Sequence, residues 1–327
     1  MSRRFHWIAG AVLGLTMASA PAQAAGPKVF VNLDPAQGQL PESITSDHFG
    51  NIYLSMGTTV GKITPSGQLS TFSNIPVPAG SFTTGLKFGP DGHLYVGTAG
   101  FAPDPAVAFV WRIDATGHAE EYAELDPHGF PNDLAFDDCG NLYVTDPFLG
   151  LIWKIDDQGV PDVWLADPLL EANYASPYLG VAPFGADGIA FDLLGRNLYI
   201  GNLDYGRIVK VSLDWWGEPD DVSVYYENIS TIGGADGIAF DALGRLYVAV
   251  HGQDRIVRID PFPRKATTVA QGAPLQQPSS LVFGETLFSK NTLYISNFSI
   301  LAALGVKPGP PKPALLKLQV PVGGPLF

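Results

Sequence analysis

Short apolar strands recur along the chain, each broken by a turn rich in Gly, Asp, Asn or Pro and followed by a run that alternates in polarity. Period-two alternation bounded by turn formers is the signature of β-strands joined by hairpins, and no long amphipathic helical pattern competes with it. The pattern is clearest at Ala235-Asp236-Gly237-Ile238-Ala239-Phe240-Asp241, followed by Ala-Leu-Gly-Arg-Leu-Tyr-Val. It is nearly copied at Ala186-Asp187-Gly188-Ile189-Ala190-Phe191-Asp192, and more loosely at Pro131-Asn132-Asp133-Leu134-Ala135-Phe136-Asp137.

Within the clearest unit, residues 238–240 predict a first strand, 241–244 a Gly-bearing turn, 246–250 a second strand and 256–260 a third. Equivalent third strands fall at 60–63, 110–113, 152–155, 208–211 and 315–318, and weaker fourth strands at places such as 119–122 and 222–226. Aligning all copies on the residue after the opening Ala or Pro, a Thr in the second copy, gives Glu42, Thr84, Asn132, Asp187, Asp236 and Ser279, spaced by 42, 48, 55, 49 and 43 residues. Four short strands in each of six repeats predict an all-β fold, a six-bladed β-propeller. The last repeat lacks a clear fourth strand. Residues 28–33 are expected to supply it, pairing the two chain ends and removing an exposed edge.

The first residues stand outside this pattern. Arg3 and Arg4 precede an apolar run from Trp7 to about Ala20, and Ala22-Gln23-Ala24 supplies a small-residue cleavage site. Residues 1–25 are therefore expected to be a secretory signal peptide, with 26–327 a single propeller domain exported to a periplasm or secreted. Without Arg3 and Arg4 the chain keeps 17 of its 19 basic residues against 32 acidic ones, a formal charge of −15. Such a surface repels phosphate backbones, so nucleic acid is excluded as a partner. No membrane partner is expected after cleavage of the leader, and a monomer is expected. The single cysteine, Cys139, allows no intrachain disulfide and has no evident base beside it. A Gly-x-Ser-x-Gly elbow, a phosphate loop and a paired-Cys zinc pattern are all missing from the sequence.

Antiparallel blades carry the starts of their first strands beside the central channel, so the six aligned residues are expected to converge there. Three carboxylates, an amide and two hydroxyls at one point repel and lose solvation unless a cation joins them. A hard divalent cation takes such oxygens as ligands. Calcium is the first candidate, with zinc, magnesium and manganese as alternatives.

Pro41-Glu42, Pro131-Asn132, Ala186-Asp187-Gly188 and Ala235-Asp236-Gly237 together resemble the strand starts of the senescence marker protein/gluconolactonase family, which includes sugar lactonases. More distantly the chain is similar to paraoxonases and strictosidine synthase. The resemblance covers essentially all of residues 26–327 and implies a six-bladed propeller with a divalent metal, often calcium, in its channel. It implies Glu42, Asp187 and Asp236 as metal ligands and Asn132 as a metal ligand or a substrate-orienting amide; Thr84 and Ser279, at the same register, are expected to face a small lactone or ester substrate with Asn132. Asp236 matches a ligand also proposed as a general base. Two departures stand out: Asp187 occupies a place where relatives often have Asn, and Ser43-Ile44 replaces a frequent Gly-Pro.

The implied chemistry is metal-assisted lactone or ester hydrolysis. Histidine suits the base better than a metal-bound carboxylate on pKa grounds. His251 and His128 fall on the site face and are catalytic candidates with Asp236, whereas His48, His93 and His118 fall in far-face turns. Phe101, Phe109, Phe148, Tyr174, Tyr178, Phe184 and Tyr205 are expected to give the channel mouth an apolar rim, and the insertion after Phe298 a lid. Two other functions share this pattern: a non-hydrolytic propeller enzyme, such as a lyase or a strictosidine-synthase-like catalyst, and a binding propeller that calcium merely staples.

Overall fold

The computed structural model of the chain describes residues 26–101, 108–180 and 182–325. The leader expected at 1–25 lies outside the described residues. Six antiparallel four-stranded sheets follow one another along the chain. The innermost strands are Pro41–Ser46, Ser81–Phe88, Leu134–Phe136, Ala186–Phe191, Ala235–Phe240 and Pro278–Phe283. Each packs against the next, and Pro278–Phe283 packs back onto Pro41–Ser46, so the ring is closed. This is the six-bladed propeller that the repeat spacing predicts.

Closure also follows the sequence. Lys28–Asn32 pairs antiparallel with Ala314–Gln319, making the N-terminal segment the outermost strand of the last blade. Five blades are thus built from contiguous sequence, and the sixth is stapled by both ends of the chain.

The repeated residues earn their places by packing. The Tyr of each Leu-Tyr-Val strand meets edge-on the Phe that ends the next blade's inner strand. The pairs are Tyr53–Phe88, Tyr95–Phe136, Tyr143–Phe191, Tyr199–Phe240 and Tyr247–Phe283, with ring centroids 4.9–5.3 Å apart. Such T-shaped pairs add about 0.5–1.5 kcal/mol each beyond the area they bury. Ser46 stands where a sixth Phe would be. Its hydroxyl bonds the Phe283 carbonyl at 3.1 Å, and Phe30 of the N-terminal strand covers Tyr294 instead.

The acid that closes each inner strand belongs to the turn. Asp241 is fully buried and accepts from the backbone N–H groups of Leu243 and Arg245 and from Arg245 Nε. Asp47, Asp137 and Asp192 accept in the same way from the residues two and four positions on. These are Asx turns, which explains why this Asp recurs in repeats whose other polar positions vary. Among the described residues, no helix is long and apolar enough to cross a membrane.

Candidate metal centre at the propeller axis

The residues aligned from the sequence occupy one structural device. In five inner strands the ladder to the second strand slips at or beside the aligned residue: between Pro41 and Ile44, Thr83 and Leu86, Ala186 and Ile189, Ala235 and Ile238, and Pro278 and Ser280. A bulge releases a residue from the ladder and re-aims its side chain. The glycine that follows has its own cause. A Cβ on Gly188 would come within 3.0 Å of the Asp236 carbonyl oxygen, and one on Gly237 equally close to that of Ser279. Each blade's bulge is pressed against its neighbour's, which draws the aligned residues into a tight ring.

The ring brings the acids together. Asn132, Asp187 and Asp236 are only 5%, 2% and 8% exposed, so solvent screens them little. Asn132 Nδ2 donates to Asp187 Oδ1, and Asp187 shares a hydrogen bond with Asp236. Burial raises the pKa of Glu42 well above the ordinary carboxylate value, and the charges of Asp236, Asp187 and Asp133 raise it further. Asp187 is raised by burial and then by Asp236, Asp133 and Asp204; Asp236 is raised by burial and then by Asp133.

Asp133 is a fourth carboxylate that the sequence alignment passes over. Burial lifts its pKa to about 6 against the hydrogen bonds it accepts from the Ile189 and Leu134 N–H groups. Its signal was its position: where the better copies have Gly188 and Gly237, this repeat has a charged residue.

His251 joins the ring as expected. It opens a short 3₁₀ turn, His251–Gln253, directly after the second strand Leu246–Val250, and its backbone N–H bonds the Gly234 carbonyl at 2.8 Å. Its Nδ1 lies 3.1 Å from Asp236 Oδ2. Its Nε2 is buried and without a hydrogen-bond partner. Burial, with Lys307 adding to it, lowers the imidazole pKa to about 3, so the ring is neutral at physiological pH.

Other expected site residues sit elsewhere or are otherwise engaged. His128 is on the surface, its side chain 79% exposed and its Nδ1 3.0 Å from Asp126 Oδ1, because Asp126 folds the segment into an Asx turn. It is corrected from catalytic candidate to surface residue. Thr84 and Ser279 reach the ring but use their hydroxyls between blades. Thr84 donates to the Pro131 carbonyl at 2.7 Å, and Ser279 donates to the Glu42 carbonyl with Ser296 Oγ 3.0 Å away. In the structure both hydroxyls latch neighbouring blades.

The expected rim is partly assembled. Phe101, Phe148 and Phe184 share a cluster with Phe82 and Phe130. Phe109 instead packs on Trp111 between blades, and Tyr205 lies beneath the Arg207 guanidinium. The insertion after Phe298 is packed down: it forms a short helix, Ile300–Ala303, whose Leu301 N–H bonds Gln277 Oε1 at 2.8 Å. A surface groove of about 400 Å³ beside Tyr178, Asp204 and Tyr205 contains none of the ring residues.

The donor set can be tested against a cation. Glu42 Oε2 is buried and has no hydrogen-bond partner, and no Lys or Arg pairs with the carboxylates of Glu42, Asp187 or Asp236 among the described residues. Oxygen donors of this kind suit a hard divalent ion. Among the described residues, however, no group of three or more His, Cys, Asp or Glu side chains is gathered closely enough to hold an ion as it stands. The acids and the amide are drawn into mutual pairs, and an ion would enter by replacing those pairs.

Comparison with known proteins bears on the ring. Residues 183–299 match the model of the SMP-30/gluconolactonase/LRE-like region, the part that contains Asp187, Asp236 and His251. A gluconolactonase of Zymomonas mobilis is 28% identical over 175 residues, covering 47% of this chain and 43% of that protein, so the match spans less than half of the relative's length. Regucalcin of Agrobacterium tumefaciens, a calcium-binding protein, superposes with a TM-score of 0.68 at 19% identity, covering 93% of this chain and 96% of that one. Virginiamycin B lyase of Staphylococcus aureus superposes at 0.58 with 16% identity, covering 88% and 98%. The chain thus carries an SMP-30/gluconolactonase/LRE-like region within a six-bladed propeller, in agreement with the resemblance read from its strand starts.

Proposed function

We propose that the protein is a metal-dependent hydrolase that opens a lactone or ester at the propeller axis. Glu42, Asn132, Asp187 and Asp236 would hold the divalent cation, calcium foremost. The observation that carries this reading is the ring itself: buried carboxylates that no Lys or Arg pairs with among the described residues, including the unpartnered Glu42 Oε2. The gluconolactonase relative supports the reaction class, and the calcium-binding regucalcin supports the ion.

A cation in the ring supplies Lewis-acid polarisation of the substrate carbonyl. The chain's own residues do the rest. Asp236 Oδ2 orients His251 through Nδ1, leaving its other oxygen for the cation. His251 then presents the Nε2 lone pair, which has no competing partner. Water adds to the carbonyl carbon while Nε2 takes its proton. The acyl C–O bond breaks, and the leaving alkoxide recovers that proton from His251 to give a hydroxy acid, or an acid and an alcohol. The buried setting withholds competing water and strengthens these interactions.

Metal content and turnover of a lactone and aryl-ester panel test this directly. Asp236→Asn is expected to lose both the ion and activity. His251→Gln is expected to keep the ion and lose about 10²–10⁴-fold in kcat, the usual worth of a general base. An active metal-free protein, or an Asp236→Asn variant of undiminished activity, overturns the reading.

A second reading, a lyase, has one observation in its favour. A catalytically inactive His→Ala variant is known for the Staphylococcus aureus virginiamycin B lyase of similar fold, and this chain offers a buried histidine with a free nitrogen. Incorporation of oxygen-labelled water into the product separates hydrolysis from elimination. Export is part of the proposal, with a mature protein that starts near Gly26.

A further inference from the structure

The channel mouth is chemically two-sided. Phe82 and Phe130 stand two residues before Thr84 and Asn132, and Phe184 three residues before Asp187, so blades two, three and four each place a phenylalanine just ahead of an aligned inner-strand residue. Phe101 and Phe148 come from the ends of the second strands Leu94–Gly100 and Leu142–Asp146. Phe130 lies at the centre, with ring centroids 5.7 Å from Phe82, 5.4 Å from Phe101, 4.8 Å from Phe148 and 5.3 Å from Phe184. Phe130 is buried, but Phe82, Phe148 and Phe184 are only partly covered and Phe101 is 61% exposed. On the other side, blades five, six and one bring His251, Phe298 and Glu42, while Asn132 and Asp187 of the polar ring come from blades three and four, the aromatic side.

Five contiguous aromatic rings with an open surface are more than the inner strands need for packing. The junctions between blades two, three and four already have their own Tyr–Phe contacts, Tyr95–Phe136 and Tyr143–Phe191. A pocket that places an apolar wall beside a few convergent polar groups orients its ligand with the reacting polar end toward those groups.

Resting on the hydrolase reading above, we infer that the five phenylalanines form a subsite for an aromatic or alkyl substituent of the substrate. The substrate class is then a lactone or ester with an apolar side group next to its carbonyl end, rather than a polyhydroxylated sugar lactone. Hydroxyl groups set against phenyl faces would lose water without gaining partners, whereas an apolar substituent gains by leaving water.

The test compares a phenyl-substituted γ-lactone, its methyl counterpart and glucono-δ-lactone on wild-type protein, Phe101→Ala and the Phe101→Ala/Phe148→Ala pair. Trp215→Ala, at a solvent-exposed far-face turn, serves as a control. The expected result is a wild-type kcat/KM that is highest for the phenyl lactone, and a phenyl-to-methyl ratio that falls about 10-fold in the paired variant, the lower end of discrimination by apolar pockets. Phe101→Trp should keep the ratio. A wild-type preference for glucono-δ-lactone, or a ratio unmoved by the paired variant, overturns the subsite.

Calorimetric binding of the matching γ-lactams, which resist hydrolysis, separates this inference from the reaction. If the phenyl lactam binds more tightly than the methyl lactam and loses that advantage in the paired variant while no lactone turns over, the subsite stands and the hydrolase reading falls. If the two lactams bind alike, the subsite falls whatever the turnover.

Discussion

Two aspartates five positions apart, Asp236 in an inner strand and Asp241 in the turn after it, meet opposite demands. Asp241 is held in a turn that needs it: three N–H groups point at its oxygens. Asp236 is buried among other acids, and burial first, then the charge of Asp133, raises its pKa. Asp241→Ala is expected to cost about 1–3 kcal/mol in urea unfolding, because it leaves buried donors unpaired, while leaving ion affinity largely intact. Asp236→Asn is expected to do the reverse, stabilising the metal-free protein by removing a charge from the ring and abolishing ion binding. Equal loss of stability in both would contradict this division. A Cβ at 188 has no room beside the Asp236 carbonyl, so Gly188→Ala is expected to cost about 1–3 kcal/mol and to weaken the ion site as well. At this scale the sequence was informative about register and less so about engagement. The spacing placed Glu42, Asn132, Asp187 and Asp236 at one level, because strand periodicity carries over from repeat to repeat. It did not foresee that Thr84 and Ser279 donate to neighbouring blades, since those acceptors are carbonyls 47 and 237 residues away. His128 was misplaced because Asp126, two residues earlier, turns it outward.

At the level of elements, the propeller depends on what lies between blades. Bulges aim the inner strands, glycines let them touch, and Tyr–Phe pairs join five of the six junctions. The remaining junction relies on the N-terminal strand, whose Phe30 covers Tyr294. Removing residues 26–33 is therefore expected to lower stability by about 3 kcal/mol or more, from the buried Leu33 and the partly buried Phe30 and Val31. A truncated chain that unfolds at the same urea concentration as the full one would contradict the closure. These elements were legible in the sequence because each blade repeats them. The Phe82–Phe130 part of the aromatic cluster was not, because its members come from separate blades and meet only when the ring closes.

For the whole molecule, the acid ring couples stability to pH and, on the proposed reading, to a bound ion. Glu42, Asp133, Asp187 and Asp236 all have folded-state pKa values above their ordinary ones, with Asp133 at about 6. Their contribution to stability is complete below the unfolded carboxylate pKa of about 4 and is lost as pH rises through the folded values. The metal-free protein is therefore expected to lose melting temperature as pH rises above about 4, through the Asp133 value of about 6 and beyond, with a shallower loss in Asp236→Asn. Saturating calcium should flatten the wild-type slope, because the ion favours the ionised form. A wild-type slope of the opposite sign, unchanged in the variant, would contradict the assignment.

The most direct measurement is a calcium titration of metal-free wild-type protein, Asp236→Asn and Glu42→Gln at pH 7.5, followed by calorimetry and thermal melting. The expected result is one site per chain in the wild type, a stabilisation of about 2.7 kcal/mol once calcium reaches a hundred times its Kd, and loss of both in the two variants. If neither calcium nor zinc, magnesium or manganese binds the wild type, or if they bind both variants as tightly, the axial ring of Glu42, Asn132, Asp187 and Asp236 is not a metal centre.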